Sequence, residues 1–332
     1  MHVLITGGAG FIGVRLARLI LAEGQLLLDT GAQRLTTLTL FDQVAAVGVT
    51  NANMPHDPRL SIKTGDAGDP ATIDALIKDA DIIFHLAAVV SVAAERDMDL
   101  GMRVNFHGTC ALIESCRRHG RKTRVIFASS AAVYGGPLPA VCGEETALFP
   151  QTSYGMQKAM GERLIDDYSR KGLIDGRSIR LPTIIVRPGA PNMAASAFAS
   201  SLVREPLMGR NYVCPVPRDT PLCVLSVRRV VESFVHAACL SSTTMGHTRA
   251  VQLPGLTLPV TDLIKAMERV AGTNVIKRIS FTTQPEILKI VQGWPVKFDT
   301  TRSGKLGFKP DQTPDAIISN FIQDELAGQV VA

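Results

Sequence analysis

The chain has 332 residues, 46% hydrophobic and 20% charged, enough for one large domain or two unequal ones around a sizeable core. A net charge of +5 from basic residues scattered along the chain argues against a nucleic-acid groove and suits a small anionic ligand. The six cysteines form no CxxC pair and have no histidine at ligand spacing, so neither a disulfide framework nor a metal site is expected, and a reducing cytoplasm is. No apolar run approaches membrane-spanning length, and glycines interrupt the apolar N-terminus, so neither a membrane partner nor a secretory core is expected.

His2 to Thr6 predicts a short strand, Gly7 to Gly13 is punctuated by glycine, and Phe11, Ile12, Leu16, Leu19 and Ile20 recur at helical spacing up to Glu23. Gly7, Gly10 and Gly13 form GxxGxxG, whose missing side chains let backbone amides approach a pyrophosphate at the positive end of the helix. The position, directly after a strand and opening an amphipathic helix, makes this a dinucleotide-binding signal. Leu38 to Asp42 predicts a second strand ending in a carboxylate, so Asp42 is the candidate for the adenosine ribose. Such an acid repels a 2′-phosphate, which points to NAD over NADP, although Asp42 also reads as a strand-end turn residue. Its distance from the glycines exceeds the usual ~20 residues, and the excess is assigned to a loop over Gln25 to Arg34.

Arg59 to Thr64 predicts a third strand, followed by Asp66 at the adenine edge and Asp69 as N-cap of a helix over Pro70 to Lys78. Asp81 to Leu86 is an apolar fourth strand, and Ala87 and Ala88 after it are small enough for a cofactor to cross the strand ends. His85 within it reads as a packed core residue. A helical pattern from about Leu100 to His119 contains Asn105, disfavoured in mid-helix, which a kink or a polar contact would explain. The basic cluster Arg117, Arg118, Arg121, Lys122 and Arg124 lies where that helix ends, a favourable place for positive charge. Thr123 to Ser129 makes a fifth strand that delivers Ser130 to the crevice faced by the glycine turn.

After a loop rich in Pro and Gly, a helix opens near Ser153, and the step from Tyr154 to Lys158 puts phenol and ammonium on one face, one turn apart. Taken alone the pair is a solvated helix face. Beside Ser130 it is a candidate proton acceptor, because positive charge favours ionisation of a phenol that otherwise titrates near ~10. Ser178 to Val186 predicts a sixth strand, completing the alternation of a doubly wound parallel sheet. Past Arg187, Pro188 and Gly189 the segments become mixed, with helices near Ala194 to Leu207 and Ser226 to Leu240. The expected architecture is a Rossmann-type α/β domain over 1–188 and a smaller mixed substrate lobe over 189–332, with some crossing of the chain between them.

TGGAGFIG at the start, HLAA after the fourth strand, SSAAVYG after the fifth, YGMQK, and a late LGFKP resemble the extended short-chain dehydrogenase/reductase family, which includes nucleotide-sugar epimerases and dehydratases. The motifs span nearly the whole chain. The resemblance implies NAD as cofactor, Ser130, Tyr154 and Lys158 as catalytic residues, and a homodimer through the helices around Asn105 to His119 and Tyr154 to Arg170. Asn105 matches the asparagine of the family's VNxxGT segment. The expected cofactor contacts are Gly7, Gly10, Phe11, Ile12, Gly13, Asp42, Asp66, Ala67, Leu86, Ala87, Ala88 and Asn105, with Tyr154 and Lys158 at the nicotinamide end.

Where epimerases tend to carry Asn and then Tyr-Gly-Pro after the sixth strand, this chain has RLPTIIVRPGAPN, and Arg228 and Arg229 replace aspartates common near the later helix. That block resembles a branch acting on a four-carbon sugar acid. The expectation is therefore NAD-dependent oxidation of a 2-hydroxy acid with Tyr154 as base and Ser130 holding the reacting oxygen. The acid's carboxylate needs a cation: Arg187 first, with Arg180, Arg204 and Arg229 behind it, while Asn192 and Ser200 could read other hydroxyls. The alternatives are a nucleotide-sugar epimerase or dehydratase that keeps its NAD, and a non-catalytic NAD-sensing regulator.

Overall fold

The computed structural model describes residues 1–44, 56–189 and 196–331. Its centre is set by strands whose apolar runs are covered on both faces, as parallel sheets require. These begin with β1 (His2–Thr6), in which Val3, Leu4 and Ile5 are fully buried, and continue after α1 (Phe11–Glu23), β2 (Gln25–Leu28) and β3 (Gly31–Arg34) with β4 (Thr37–Asp42) and β5 (Leu60–Thr64). Then come α2 (Pro70–Ile77), β6 (Ile82–His85), α3 (Ser91–Arg96), α4 (Met98–Gly101), α5 (Gly108–His119), β7 (Arg124–Ser130), α6 (Ser153–Arg170) and β8 (Asp175–Leu181). The remainder is β9 (Thr183–Ile185), α7 (Ala197–Leu207), β10 (Tyr212–Cys214), β11 (Pro221–Ser226), α8 (Val227–Cys239), β12 (Ala250–Gln252), β13 (Leu256–Pro259), α9 (Val260–Ala271), α10 (Thr273–Ile276), β14 (Ile279–Phe281), α11 (Pro285–Gln292), α12 (Thr301–Lys305) and α13 (Pro314–Glu325).

Seven strands pair in parallel in the order β12-β8-β7-β6-β1-β4-β5. The chain winds outward from β1 to β4 and β5, then returns to β6 and winds the other way. The carboxyl ends of β1 and β6 therefore flank the switch point where ligands of doubly wound sheets lie. One face is covered by α1 and α8, with Leu16 and Ile20 in the same core as Val230 and Phe234; the other is covered by α2, α5 and α6 through Ile73, Leu112 and Ile165. Beyond residue 189 a second core gathers Leu202 of α7, Leu263 of α9 and Phe321 of α13 beside the sheet β13-β11-β9. From the same stretch, α8 packs on α1 and β12 joins the main sheet beside β8.

Three local features differ from the sequence expectations. Gln25 to Arg34 is an antiparallel hairpin rather than a loop, turning through Asp29 and Thr30 into Gly31 with φ +98° and held by buried Leu26. The sixth strand is split: Pro182 has no N–H for the ladder, and Thr183–Ile185 pairs with β11 in the second sheet. The long helix before β7 is broken by a π-helical stretch over Met102–His107. There the Asn105 side chain accepts from Val89 N (2.7 Å) and donates to Val89 O (3.0 Å) and Gln157 Oε1 (2.7 Å), so the kink and the polar contact occur together. Asp69 caps α2 through Ala71 N and Thr72 N, as its place before Pro70 requires. No helix among the described residues is long and apolar enough to cross a membrane.

Candidate active site

A single cavity of about 520 Å³ runs along the carboxyl ends of the central strands and receives most of the residues singled out in the sequence. At one end lie Gly7, Gly10, Phe11, Ile12 and Gly13, with Asp42, Asp66 and Ala67 from the strands beyond, and Leu86, Ala87 and Ala88 after β6. Gly7 has φ +69°, and a Cβ there would come within 2.7 Å of Ala87 N. At Gly13 a Cβ would stand 2.6 Å from Gly7 O, so the turn closes only with glycine at both places. The N-terminus of α1 has no side-chain cap and no acid in its first turn, which leaves its amides and its positive dipole end for an anion.

Asp42 ends β4 next to β1, where one carboxylate oxygen accepts from Ala9 N at 3.0 Å. That bond ties the acid to the glycine turn and holds it at the place a ribose would need. Asp66 accepts from Gly68 N at 2.7 Å and pairs with Arg103, and these contacts hold its carboxyl below the usual range. An uncapped helix start, a backbone cradle that side chains would fill and an acid at the end of the neighbouring strand fit an NAD molecule. Asn105 is buried and is not on the cavity wall; it acts on the wall through the backbone of Val89, which is.

At the other end, β7 delivers Ser130 and the first two turns of α6 deliver Tyr154 and Lys158. Thr152 caps that helix by accepting from Gly155 N at 3.1 Å, which sets where Tyr154 begins its turn. The Ser130 hydroxyl stands near enough to the Tyr154 phenol to favour its ionised form, and Ser130 Oγ accepts from Ala132 N at 3.1 Å. Lys158 Nζ lies 4.6 Å from the Phe127 ring centroid and 5.6 Å from that of Tyr154.

The electrostatics depart from the simple pairing read in the sequence. Tyr154 keeps part of its surface open to the cavity, yet the protein packed around it raises the phenol's pKa, opposed first by the Arg187 charge and then by the Ser130 hydroxyl. Burial lowers the Lys158 ammonium to about 7, against the pull of Glu162. Arg187 is therefore the leading charge favouring the phenolate, while Lys158 is itself dried out by its surroundings. His85 is held between Thr6 (2.7 Å) and Thr109 (3.0 Å), and burial pushes it down to about 3, in keeping with a packed neutral residue.

The candidate arginines separate by their partners. Arg180 makes a bidentate pair with Glu162 (2.9 and 2.7 Å) and donates to Tyr134 Oη (2.7 Å); Arg204 is paired with Glu205 and Arg229 with Glu232. Arg187 lines the cavity and has no carboxylate partner among the described residues. Its Nη2 donates to Ser196 Oγ at 3.3 Å, its guanidinium stands 5.4 Å from the Phe11 ring centroid, and its buried Nε has no partner among the described residues. Ser200 is buried away from the wall, and its hydroxyl accepts from Arg187 N at 3.1 Å, supporting the arginine's backbone. Asn192 lies outside the described residues.

Two groups of residues were not singled out in the sequence. Glu162, one turn beyond Lys158, is fully buried and accepts from Ser129 Oγ as well as from Arg180; its helical spacing was the available signal. Trp294, Pro295 and Phe298, far along the chain, complete the cavity wall, and no local pattern announces them.

The D-erythronate dehydrogenase of Cupriavidus necator is 48% identical over 325 residues, covering 98% of this chain and 98% of that protein. The D-erythronate dehydrogenase of Haemophilus influenzae is 42% identical over 327 residues, 98% of this chain and 100% of that protein. A crystal structure described as a nucleoside-diphosphate-sugar epimerase from Agrobacterium tumefaciens superposes with TM-score 0.92 at 38% identity, covering 99% of this chain and 95% of that one. Residues 3–221, which take in the glycine turn, Ser130, Tyr154 and Lys158, match the NAD dependent epimerase/dehydratase family, and the chain belongs to that family.

Proposed function

We propose that this protein oxidises D-erythronate to 2-dehydro-D-erythronate with reduction of NAD. The observation that carries the reading is Arg187: a half-buried guanidinium without a carboxylate partner among the described residues, lining the same cavity as the hydroxyls of Ser130 and Tyr154. A 2-hydroxy acid offers a carboxylate to that charge and a hydroxyl to Ser130 and Tyr154, and the two dehydrogenases at 48% and 42% identity support the substrate.

In this reading Arg187 grips the acid's carboxylate with paired N–H donors, and the C2 hydroxyl sits between Ser130 and Tyr154. Tyr154, as phenolate, takes the hydroxyl proton while the C2–O bond becomes a carbonyl. Ser130 donates to the oxygen as its negative charge grows. Bound NAD supplies the acceptor for the C2 hydride, so one molecule of acid yields one of keto acid, one of NADH and one proton. Lys158, close to the Tyr154 ring, favours the phenolate when it is charged and stands where the nicotinamide ribose would lie. The reading assigns NAD to residues 1–188 and most of the substrate lobe to 189–332. It includes a homodimer through α5 and α6 and a cytoplasmic location, which the free cysteines support.

The test is to incubate the protein with NAD and four- to six-carbon sugar acids and follow NADH absorbance. D-erythronate should give net NADH. The second reading, a nucleotide-sugar epimerase, is favoured by the likeness to the Agrobacterium structure described as such and predicts interconversion of a nucleotide sugar without net NADH. Silence with every acid together with such interconversion would replace the first reading by the second.

A further inference from the structure

The segment from Ile290 to Phe298 crosses the cavity as a strap that nothing in the reaction chemistry requires. Ile290, Trp294, Pro295 and Phe298 all reach its wall. The strap is tied down on opposite sides. On the substrate-lobe side, Trp294 stacks on Phe198 of α7 with centroids 6.5 Å apart and planes at 19°. Phe198 lies in the first turn after Ser196, which bonds Arg187, so this end is anchored beside the cation. On the Rossmann side, Cys142 N donates to Lys297 O (2.9 Å) and Asp299 N donates to Cys142 O (2.8 Å), a short parallel bridge across Phe298. The Phe298 ring packs on Tyr134 at 5.9 Å, and Tyr134 accepts from Arg180, the partner of Glu162. In between, Thr257 donates to Val296 O.

We propose that Trp294 and Phe298 are specificity-determining residues that wall the substrate site and limit it to short-chain acids. The inference rests on the 2-hydroxy-acid reading. With C1 held by Arg187 and C2 by Ser130 and Tyr154, a longer chain must find room along the strap, whose Trp294 end packs on Phe198 near Arg187 and whose Phe298 end packs on Tyr134. Two aromatic rings and a proline offer that chain bulk and an apolar face, but few groups to pair with further hydroxyls. Each added CHOH unit must then displace packed rings and lose hydrogen bonds to water without replacement.

The test compares kcat/KM for the six-carbon acid D-gluconate with that for D-erythronate, both with NAD, in wild type, Trp294→Ala and Phe298→Leu. Because both substrates are measured on one preparation, the ratio does not depend on how much of a variant is folded. Opening the wall should raise the gluconate-to-erythronate ratio roughly tenfold or more in at least one variant, the scale on which a pocket discriminates by bulk. A ratio that changes by less than about threefold in both variants, well below that scale, overturns the strap's role while leaving the reaction intact. A wild type that makes no NADH from D-erythronate and interconverts nucleotide sugars instead overturns the reaction reading, and the strap inference with it.

Discussion

Replacing Arg187 with Met removes a charge that has no carboxylate partner among the described residues, and two consequences can be worked out. The first concerns the carboxylate. Arg180, Arg204 and Arg229 are each paired with a glutamate and hydrogen-bonded in place, so none is free to substitute. Removing one partner of a desolvated charge pair costs ~2–5 kcal/mol, and because Arg187 is only half-buried the lower part of that range applies. At about 1.4 kcal/mol per tenfold, the KM for the acid should rise roughly 30- to 150-fold. The second concerns Tyr154. Arg187 is the leading influence that opposes burial at the phenol, so its loss raises the phenol's pKa further. In the proposed mechanism the phenolate is the active form, so the rise of kcat/KM with pH should move to more alkaline pH in the variant. The assay is steady-state NADH production across the pH range, with thermal melting to show that the variant folds; the Ser200 contact uses the Arg187 backbone and survives the change. An unchanged KM would refute the assignment of the carboxylate, and an unchanged pH profile would refute the electrostatic link.

Tyr154→Phe keeps the ring and removes the proton acceptor, so kcat should fall by roughly 10²–10⁴-fold while NAD binding, measured by titration calorimetry, stays nearly intact. Glu162→Gln leaves Arg180 buried with half its partner, and breaking a buried pair costs ~3–5 kcal/mol, which a lowered unfolding temperature and denaturation midpoint would reveal. Lys158 gives a linkage prediction: its ammonium is lowered from 10.5 to about 7 in the folded protein. Between those values the unfolded chain holds the proton and the folded one does not, so this group's contribution to stability increases as pH rises through the window. Denaturation curves of the NAD-free protein should lose that increase in Lys158→Met, and an identical pH slope in both proteins would count against a desolvated lysine.

Much of the site was legible because its signals are local. Gly7, Gly10 and Gly13 sit between a strand and a helix, and the clash a Cβ would make at Gly7 and Gly13 is the reason the spacing carries information. Tyr154 and Lys158 share one helical turn, and Asp42 ends an apolar strand; such features survive reading one segment at a time. The central strands were legible for the same reason, since a run such as Val3 to Ile5 must be covered on both faces wherever it folds. The split at Pro182 and the hairpin at Gln25 to Arg34 were not, because each depends on what the segment pairs with.

Sequence alone therefore determined the glycine cradle, the serine and the Tyr154–Lys158 pair, since backbone sterics and helical periodicity act between near neighbours. It could rank Arg187, Arg180, Arg204 and Arg229 but not separate them. That needed their partners: Glu162 reaches Arg180 from α6 across to β8, while Arg187 is left facing the cavity. The charge that acts most on Tyr154 likewise comes from Arg187, thirty-three positions along the chain, rather than from the lysine one turn away. Desolvation is a property of everything packed around a group, and so is the wall made by Trp294 and Phe298. Both come into being only when distant segments meet, and only the tertiary structure decides them.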